Sequence, residues 1–328
     1  TPMLLREIQV TDRNGDGYYS LDEALAAAHA DYAPNRASDY AAGQSQWGYS
    51  VTKLWGREEG VGGFHRNNQL TAAVNKEILE QGDQVTVFTY KDLENWSDRY
   101  SYFTENHLTV CVKQEFELTL LYAGSSVSPQ ATAPIGVFDE NGTYSVPEYL
   151  RGEWFFGDTY QKTVATGIDG KVKMSFTEPG DYLLTAQYDL DTYTVDSKRY
   201  YLVPPLCTVT VLPEVEYAAY EKIQNYLDQA ADQLAWDTIL GEENEYSYAV
   251  TSNLTLPAQL TVEGETVAVS WSCDDTTGTV SVSQYNGEWS AYVVRPLAQD
   301  VSCTLTATLS YEEITKTKEF PVTVKAEG

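Results

Sequence analysis

The stretch Asp12–Glu23, DRNGDGYYSLDE, gathers four acids, an amide and a serine hydroxyl around two glycines. Counted from Asp12, the side chains of Asp12, Asn14, Asp16 and Ser20 fall at positions 1, 3, 5 and 9. Gly17 falls at 6, the Tyr18 carbonyl at 7 and Glu23 at 12. Oxygen donors at that spacing, with glycine at the sharp turn and a bidentate carboxylate last, form a coordination shell for calcium. Ser20 and Glu23 alone would also make an S-x-x-E capping box that needs no metal. The capping box leaves Asp12, Asn14, Asp16 and Gly17 unexplained, and it does nothing for the repulsion between two carboxylates held close together. The chemistry predicted here is cation binding, with Ca2+ the one cofactor expected.

Other residues that could do chemistry point away from catalysis. No G-x-S-x-G, H-E-x-x-H, P-loop or Cys–His signature occurs. Paired carboxylates could hydrolyse glycosides, but a chain with 48 acidic residues always offers some pair, so the pattern selects nothing. His65, in GGFHRNN, is expected to be a turn residue with a satisfied hydrogen bond. Cys111, Cys207, Cys273 and Cys303 include no C-x-x-C, which argues against a zinc or redox motif. Cys273 shares strand parity with Trp271, and Cys303 with Leu305 and Ala307, so a Cys273–Cys303 bridge between facing strands is possible. Cys111 and Cys207 lie in the first and last strands of their domain, which permits a second bridge. Four buried thiols are the alternative. Aromatic clusters at Glu153–Gln161 and Asn95–Phe103 could stack on sugar rings, although alternating aromatics are more often core.

The elements that would position these residues are mostly strands. Twenty-five tyrosines and alternating Thr/Val runs fit half-buried sheets. In the first 105 residues, LLREIQVTD reads as a strand, SLDEALAAAHADYA as a helix ended by Pro34, and YSVTKLWG and QVTVFTYKD as strands. A short helix is expected around Ala72–Leu79, making a small α+β domain over 1–105. Residues 106–213 alternate apolar and polar side chains between NG, DG and PG turns, as in an antiparallel sandwich. A connecting helix over 214–235 carries a stripe of Tyr220, Ile223, Leu227, Ala230 and Leu234, and strands return over 236–328. The fold class is therefore mainly β and multidomain.

Composition bounds the partners. A net charge of −27 over 328 residues argues against nucleic acid, whose phosphates need Lys and Arg, and suits divalent cations. No run of about 18 apolar residues exists, so membrane insertion is not expected. The opening TPMLLREIQV has no basic n-region or apolar h-region, so an export signal is expected to be removed or never present.

The Asp12–Glu23 loop resembles an EF-hand or dockerin loop, although Tyr19 stands at position 8 and no second loop of the pattern follows. LDEALAAAHADY, WGYSVTKLWGREEGVGGFHRNNQ, LEQGDQVTVFTYKD and WSDRYSYF resemble a domain of modular surface proteins from gut Firmicutes. That domain is similar to the C-terminal domain of transcobalamin, and the resemblance implies a β-grasp-like fold. TGIDGKVKMSFTEPGDYLLTAQY with LVPPLCTVTV is similar to a bacterial immunoglobulin-like module. LAWDTILGEENEYSYAVTSNLTLPAQL, VAVSWSC, VVRP and VSCTLTATLSYEEITKTKEFPVTV resemble the atrophied bacterial immunoglobulin-like domain. Together the resemblances imply a secreted, non-catalytic segment of a bacterial cell-surface protein, monomeric in isolation. The expected role is adhesion, display or spacing, with an extracellular protein or glycan as partner. The alternative is a carbohydrate- or small-ligand-binding module of a larger surface protein or glycoside hydrolase.

Overall fold

The computed structural model describes residues 6–46, 48–123, 127–152, 154–156, 159–161, 164–187, 194–195, 198–199, 201–241 and 243–327. The chain is mainly β, and it divides into two compact units, residues 1–213 and 214–328. The expected division at 105/106 falls inside the first unit.

The first unit opens with an α+β region built on helix α1, Leu21–Tyr32. Its sequence is rich in Ala and Leu, good helix formers, and the chain leaves the helix at Ala33, just before Pro34. All three amides that begin the helix have partners. Leu21 N donates to Glu77 O at 2.8 Å, Asp22 N to Val74 O at 2.9 Å and Glu23 N to Ser20 Oγ at 3.4 Å. Leu21 and Leu25 meet Leu54 and Val74 in a small buried cluster. Around it lie a hairpin of Ala41–Ser45 and Gly48–Lys53 and a three-stranded sheet ordered Gln69–Leu70, Val61–Arg66, Val85–Thr89.

Two expected elements are absent from this region. Residues 6–11 of the expected first strand are irregular, and 72–79 are turns with one isolated bridge in place of a helix. The reason for the second is visible: the carbonyls of Val74 and Glu77 are taken by the start of α1, and Glu77 Oε2 accepts from Ala72 N at 3.1 Å. A third difference concerns the Gly-rich segment around His65, which is strand Val61–Arg66 and no turn.

A two-sheet sandwich completes the first unit. One sheet runs Tyr144–Ser145, Ile135–Phe138, Gly180–Ala186, Cys207–Leu212, His107–Cys111. The other runs Leu150–Gly152, Lys171–Phe176, Phe116–Ala123, Arg99–Phe103, Leu202–Val203, with Val127–Pro129 also on Phe116–Ala123. Alternate residues of both, such as Leu118, Leu120, Val172, Met174, Val209 and Val211, fill one core. Arg99–Phe103 belongs to this sheet although it precedes residue 106.

The second unit begins with α2, Glu214–Gln233, followed by the short α3, Trp236–Ile239. Its sheets are Leu254–Leu256, Glu288–Val293, Val280–Tyr285 and Gln259–Val262, Glu265–Cys273, Val301–Tyr311, Ile314–Val324. The expected stripe of α2 is used: Leu227, Ala230 and Leu234 are fully buried in the same core as Trp271, Leu305 and Phe320. Trp271 sits opposite Ala307, and its Nε1–H donates to Pro257 O at 2.9 Å. At the helix's far end Lys318 Nζ donates to the carbonyls of Ala231 at 2.6 Å and Leu234 at 2.8 Å. Among the described residues, no helix is long and apolar enough to cross a membrane.

Candidate metal centre

The Asp12–Glu23 loop is folded by its own side chains. Asp12 Oδ1 accepts from Gly15 N at 2.7 Å and Asp16 N at 3.3 Å, while Oδ2 accepts from Gly17 N at 2.9 Å. Asn14 Oδ1 accepts from Asp16 N and Asp16 Oδ1 from Tyr18 N, both at 2.9 Å. Asn14 Nδ2 donates to Asp16 Oδ2 at 2.8 Å. The first three predicted donors thus share one tight turn. Gly17 enables it with φ +86°, a left-handed conformation that side chains resist, although a Cβ there would meet no neighbour.

Glu23 closes the loop from the helix. Its Oε1 accepts from Arg13 N at 2.6 Å and Asn14 N at 3.3 Å, and its Oε2 from Ser20 N at 2.9 Å and Ser20 Oγ at 3.0 Å. The capping box is therefore formed, and the same carboxylate reaches back to the loop's first turn. Burial opposes ionisation of Glu23, but the hydrogen bonds from Ser20 and Arg13 outweigh it and hold its carboxyl below the ordinary value. The Gly17 amide, helped by those of Gly15 and Asp16, likewise lowers Asp12. Both groups are prepared to be anions.

Every donor that Asp12, Asn14, Asp16, Tyr18, Ser20 and Glu23 would offer is oxygen, which fits a hard divalent cation. Their carboxylates are not drawn into one cluster, however. Among the described residues, the one trio of candidate ligand atoms within 4.8 Å of one another is Cys273, Asp274 and Cys303. Each loop carboxylate turns instead to backbone amides.

One supporting contact lies beyond the reach of the loop pattern. Leu79 N donates to Tyr19 O at 2.7 Å, and Ser20 pairs with Ile78 in an antiparallel bridge. The backbone of positions 8 and 9 is thus held by residues 78 and 79 of the same region, where a paired loop would otherwise hold it. Tyr18 and Tyr19 themselves stay about half exposed.

The histidines divide by partner. His29 is fully buried, its Nδ1–H donating to Leu25 O at 2.6 Å and its Nε2 accepting from Trp55 N at 2.9 Å, so both nitrogens are used by the neutral ring. His65 contradicts the expectation of a satisfied turn residue. It is buried in its strand, stacked at 3.7 Å on Tyr100, and its Nδ1 has no hydrogen-bond partner among the described residues. Burial brings its pKa down to about 4.

The cysteine pairings are also corrected. The strands of Cys111 and Cys207 are adjacent and parallel, but Cys111 stands beside Leu212, five residues along from Cys207. At about 3.3 Å per residue that separation is roughly 16 Å, so no bridge can join them. Cys273 and Cys303 lie on neighbouring antiparallel strands of one sheet as diagonal neighbours, and both are free thiols. In the aromatic stretch Glu153–Gln161, strands Trp154–Phe156 and Thr159–Gln161 pair antiparallel, while residues 153, 157 and 158 lie outside the described residues.

No curated protein matches the chain. Among solved structures, a tandem pair of titin immunoglobulin domains aligns over 70% of this chain and 98% of its own, at 11% identity and a TM-score of 0.18. Residues 228–327 match the family described as the atrophied bacterial Ig domain, so the C-terminal part of the chain is similar to a bacterial immunoglobulin-like module.

Proposed function

We propose that the chain is a non-catalytic segment of an exported bacterial surface protein, in which a calcium-stabilised α+β region ahead of Arg99 precedes immunoglobulin-like modules, one running from Arg99 to about 213 and one at 236–328. Its role is display, adhesion or spacing toward an extracellular protein or glycan. The observation that carries this reading is the ordered loop at Asp12–Glu23, set ahead of modules built from sheets. Folded immunoglobulin-like sandwiches supply rigid length, and the family matched at 228–327 supports a spacer role.

The loop's part is structural. Asp12, Asn14, Asp16, Ser20 and Glu23 would hold the cation with the Tyr18 carbonyl, and the ion would neutralise carboxylates that otherwise repel. Because Ser20 and Tyr19 are tied to Ile78 and Leu79, and Glu23 lies in the first turn of α1, order in the loop passes directly to the helix and the small core. Among the described residues, no paired helices stand ready to open, as they do in calcium sensors.

Calorimetric unfolding in excess calcium and in chelator tests the reading. Calcium at a hundredfold its Kd adds about 2.7 kcal/mol to the unit that binds it. One transition should rise, and Asp16→Ala should remove the rise. If neither transition responds to calcium, the loop is a capped turn and the calcium half of the proposal is wrong.

A further inference from the structure

At the edge of the second unit, strand Glu265–Cys273 ends beside Val301–Tyr311. Cys273 pairs with Leu305, which places Cys303 two residues further along on the same face, a diagonal neighbour. Asp274 follows directly. Its N donates to Thr304 O at 3.2 Å, and its Oδ1 accepts from Thr304 N at 2.6 Å, which fixes the carboxylate beside the two thiols. The two sulfurs and an Asp274 oxygen lie within 4.8 Å of one another. Asp274 and Cys303 also line an open surface cavity of about 410 Å3, with Tyr248 and Thr323 on its wall.

We infer that Cys273, Cys303 and Asp274 form a binding site for a thiophilic divalent cation of the zinc class, independent of the calcium loop. Two sulfurs and one carboxylate oxygen are three ligands of a tetrahedral zinc site, and the cavity leaves the fourth position open to water or an outside donor. Thr304 supplies the hydrogen bond that orients a ligating carboxylate. Geometry favours an ion over a disulfide here. Diagonal neighbours in an antiparallel pair have Cα atoms about 7–8 Å apart, at the limit of what a disulfide spans without backbone movement. A metal with bonds of about 2.3 Å to each sulfur bridges the wider gap. On binding, each thiol releases its proton to solvent, so affinity rises with pH. Calcium does not compete, because thiolates select soft or borderline cations.

The test uses the full chain, reduced with a phosphine and stripped of metal, titrated with cadmium alone. A sulfur-to-cadmium charge-transfer absorption should saturate at one equivalent and be reversed by zinc. Cys273→Ser and Cys303→Ser should each abolish it, Cys111→Ser should leave it intact, and Asp274→Asn should weaken binding about tenfold or more. Cys303 is buried, so its variant is checked for folding by circular dichroism. If it unfolds, protection of wild-type Cys273 from alkylation by equimolar zinc takes its place. Absence of the absorption in a folded wild-type chain overturns the proposal, as does its survival in Cys273→Ser. So does a Cys273–Cys303 disulfide, seen as the loss of two hydrogens by mass, that forms in air despite equimolar zinc.

Discussion

The α+β region and the second unit solve the same problem with different means. Among the described residues, the first closes four side chains, Leu21, Leu25, Leu54 and Val74, into a buried centre. The second closes 23, contributed by α2, α3 and both sheets. Burial of apolar surface is the main favourable contribution to folding, so the second unit can rely on its interior. A small core rarely suffices alone. The α+β region adds polar ties: the Asp12 and Glu23 networks, His29 between α1 and Trp55, and Tyr40 Oη–H donating to Asp22 Oδ1 at 2.6 Å. Arg66 adds an ion pair to Asp83 at 2.7 Å and another to Glu77 at 3.4 Å. Region by region, stability should therefore respond to different insults.

Trp271→Ala should produce the largest effect. It empties the centre of the second unit and leaves Pro257 O without its indole donor, which costs about 3–5 kcal/mol. Denaturant melts should show the loss in the second unit's transition alone. Movement of the first unit's transition by as much would erase the contrast.

Acid should act on the first unit, which holds all three histidines. His65 has its pKa depressed to about 4 by burial. The unfolded chain takes up a proton as pH falls through about 6.5, while the folded chain refuses it until about 4. His65 thus contributes fully above pH 6.5, and that contribution is lost as pH falls toward 4. Between pH 7 and 4.5 the loss is about 2.5 kcal/mol. Urea titrations at the two pH values should show this excess slope in the wild type and not in His65→Phe. An equal slope in both would mean that His65 is protonated without cost.

Ser20→Ala sharpens the comparison most finely. Removing the hydroxyl deletes the cap on Glu23 N and one of four donors to the Glu23 carboxylate, at about 1 kcal/mol. Thermal unfolding of the first unit should register that loss. No change would show that the loop draws its order from Asp12 and the Ile78–Leu79 contact alone.

The sequence disclosed features whose determinants are close together along the chain. The twelve-residue oxygen pattern, the Ser20–Glu23 box, the apolar stripe of α2 and the alternation that turns Trp271 inward all depend on neighbours within about two turns or one strand. What it withheld depends on distant register. Nothing local to residues 72–79 says that their carbonyls will serve α1, so a helical pattern there was overruled. Their places in the first and last strands put Cys111 and Cys207 side by side but could not say that a parallel register sets them at opposite ends. His65 looked like a turn because of its glycines, yet Gly62 and Gly63 lie within a strand whose register shifts between Gly62 and Phe64. That kind of irregularity is a bulge, which glycine tolerates.

The lysine that closes α2 has a consequence for timing. Lys318 reaches the carbonyls of Ala231 and Leu234 across 87 and 84 residues of chain. The helix is made first as the polypeptide emerges, but the group that satisfies its end arrives last, on the final strand. Contacts so distant in sequence slow folding. A nascent chain would hold α2 with Leu227, Ala230 and Leu234 still uncovered. The second unit is then completed in one late step, when strand Ile314–Val324 docks and finishes both the sheet and the helix.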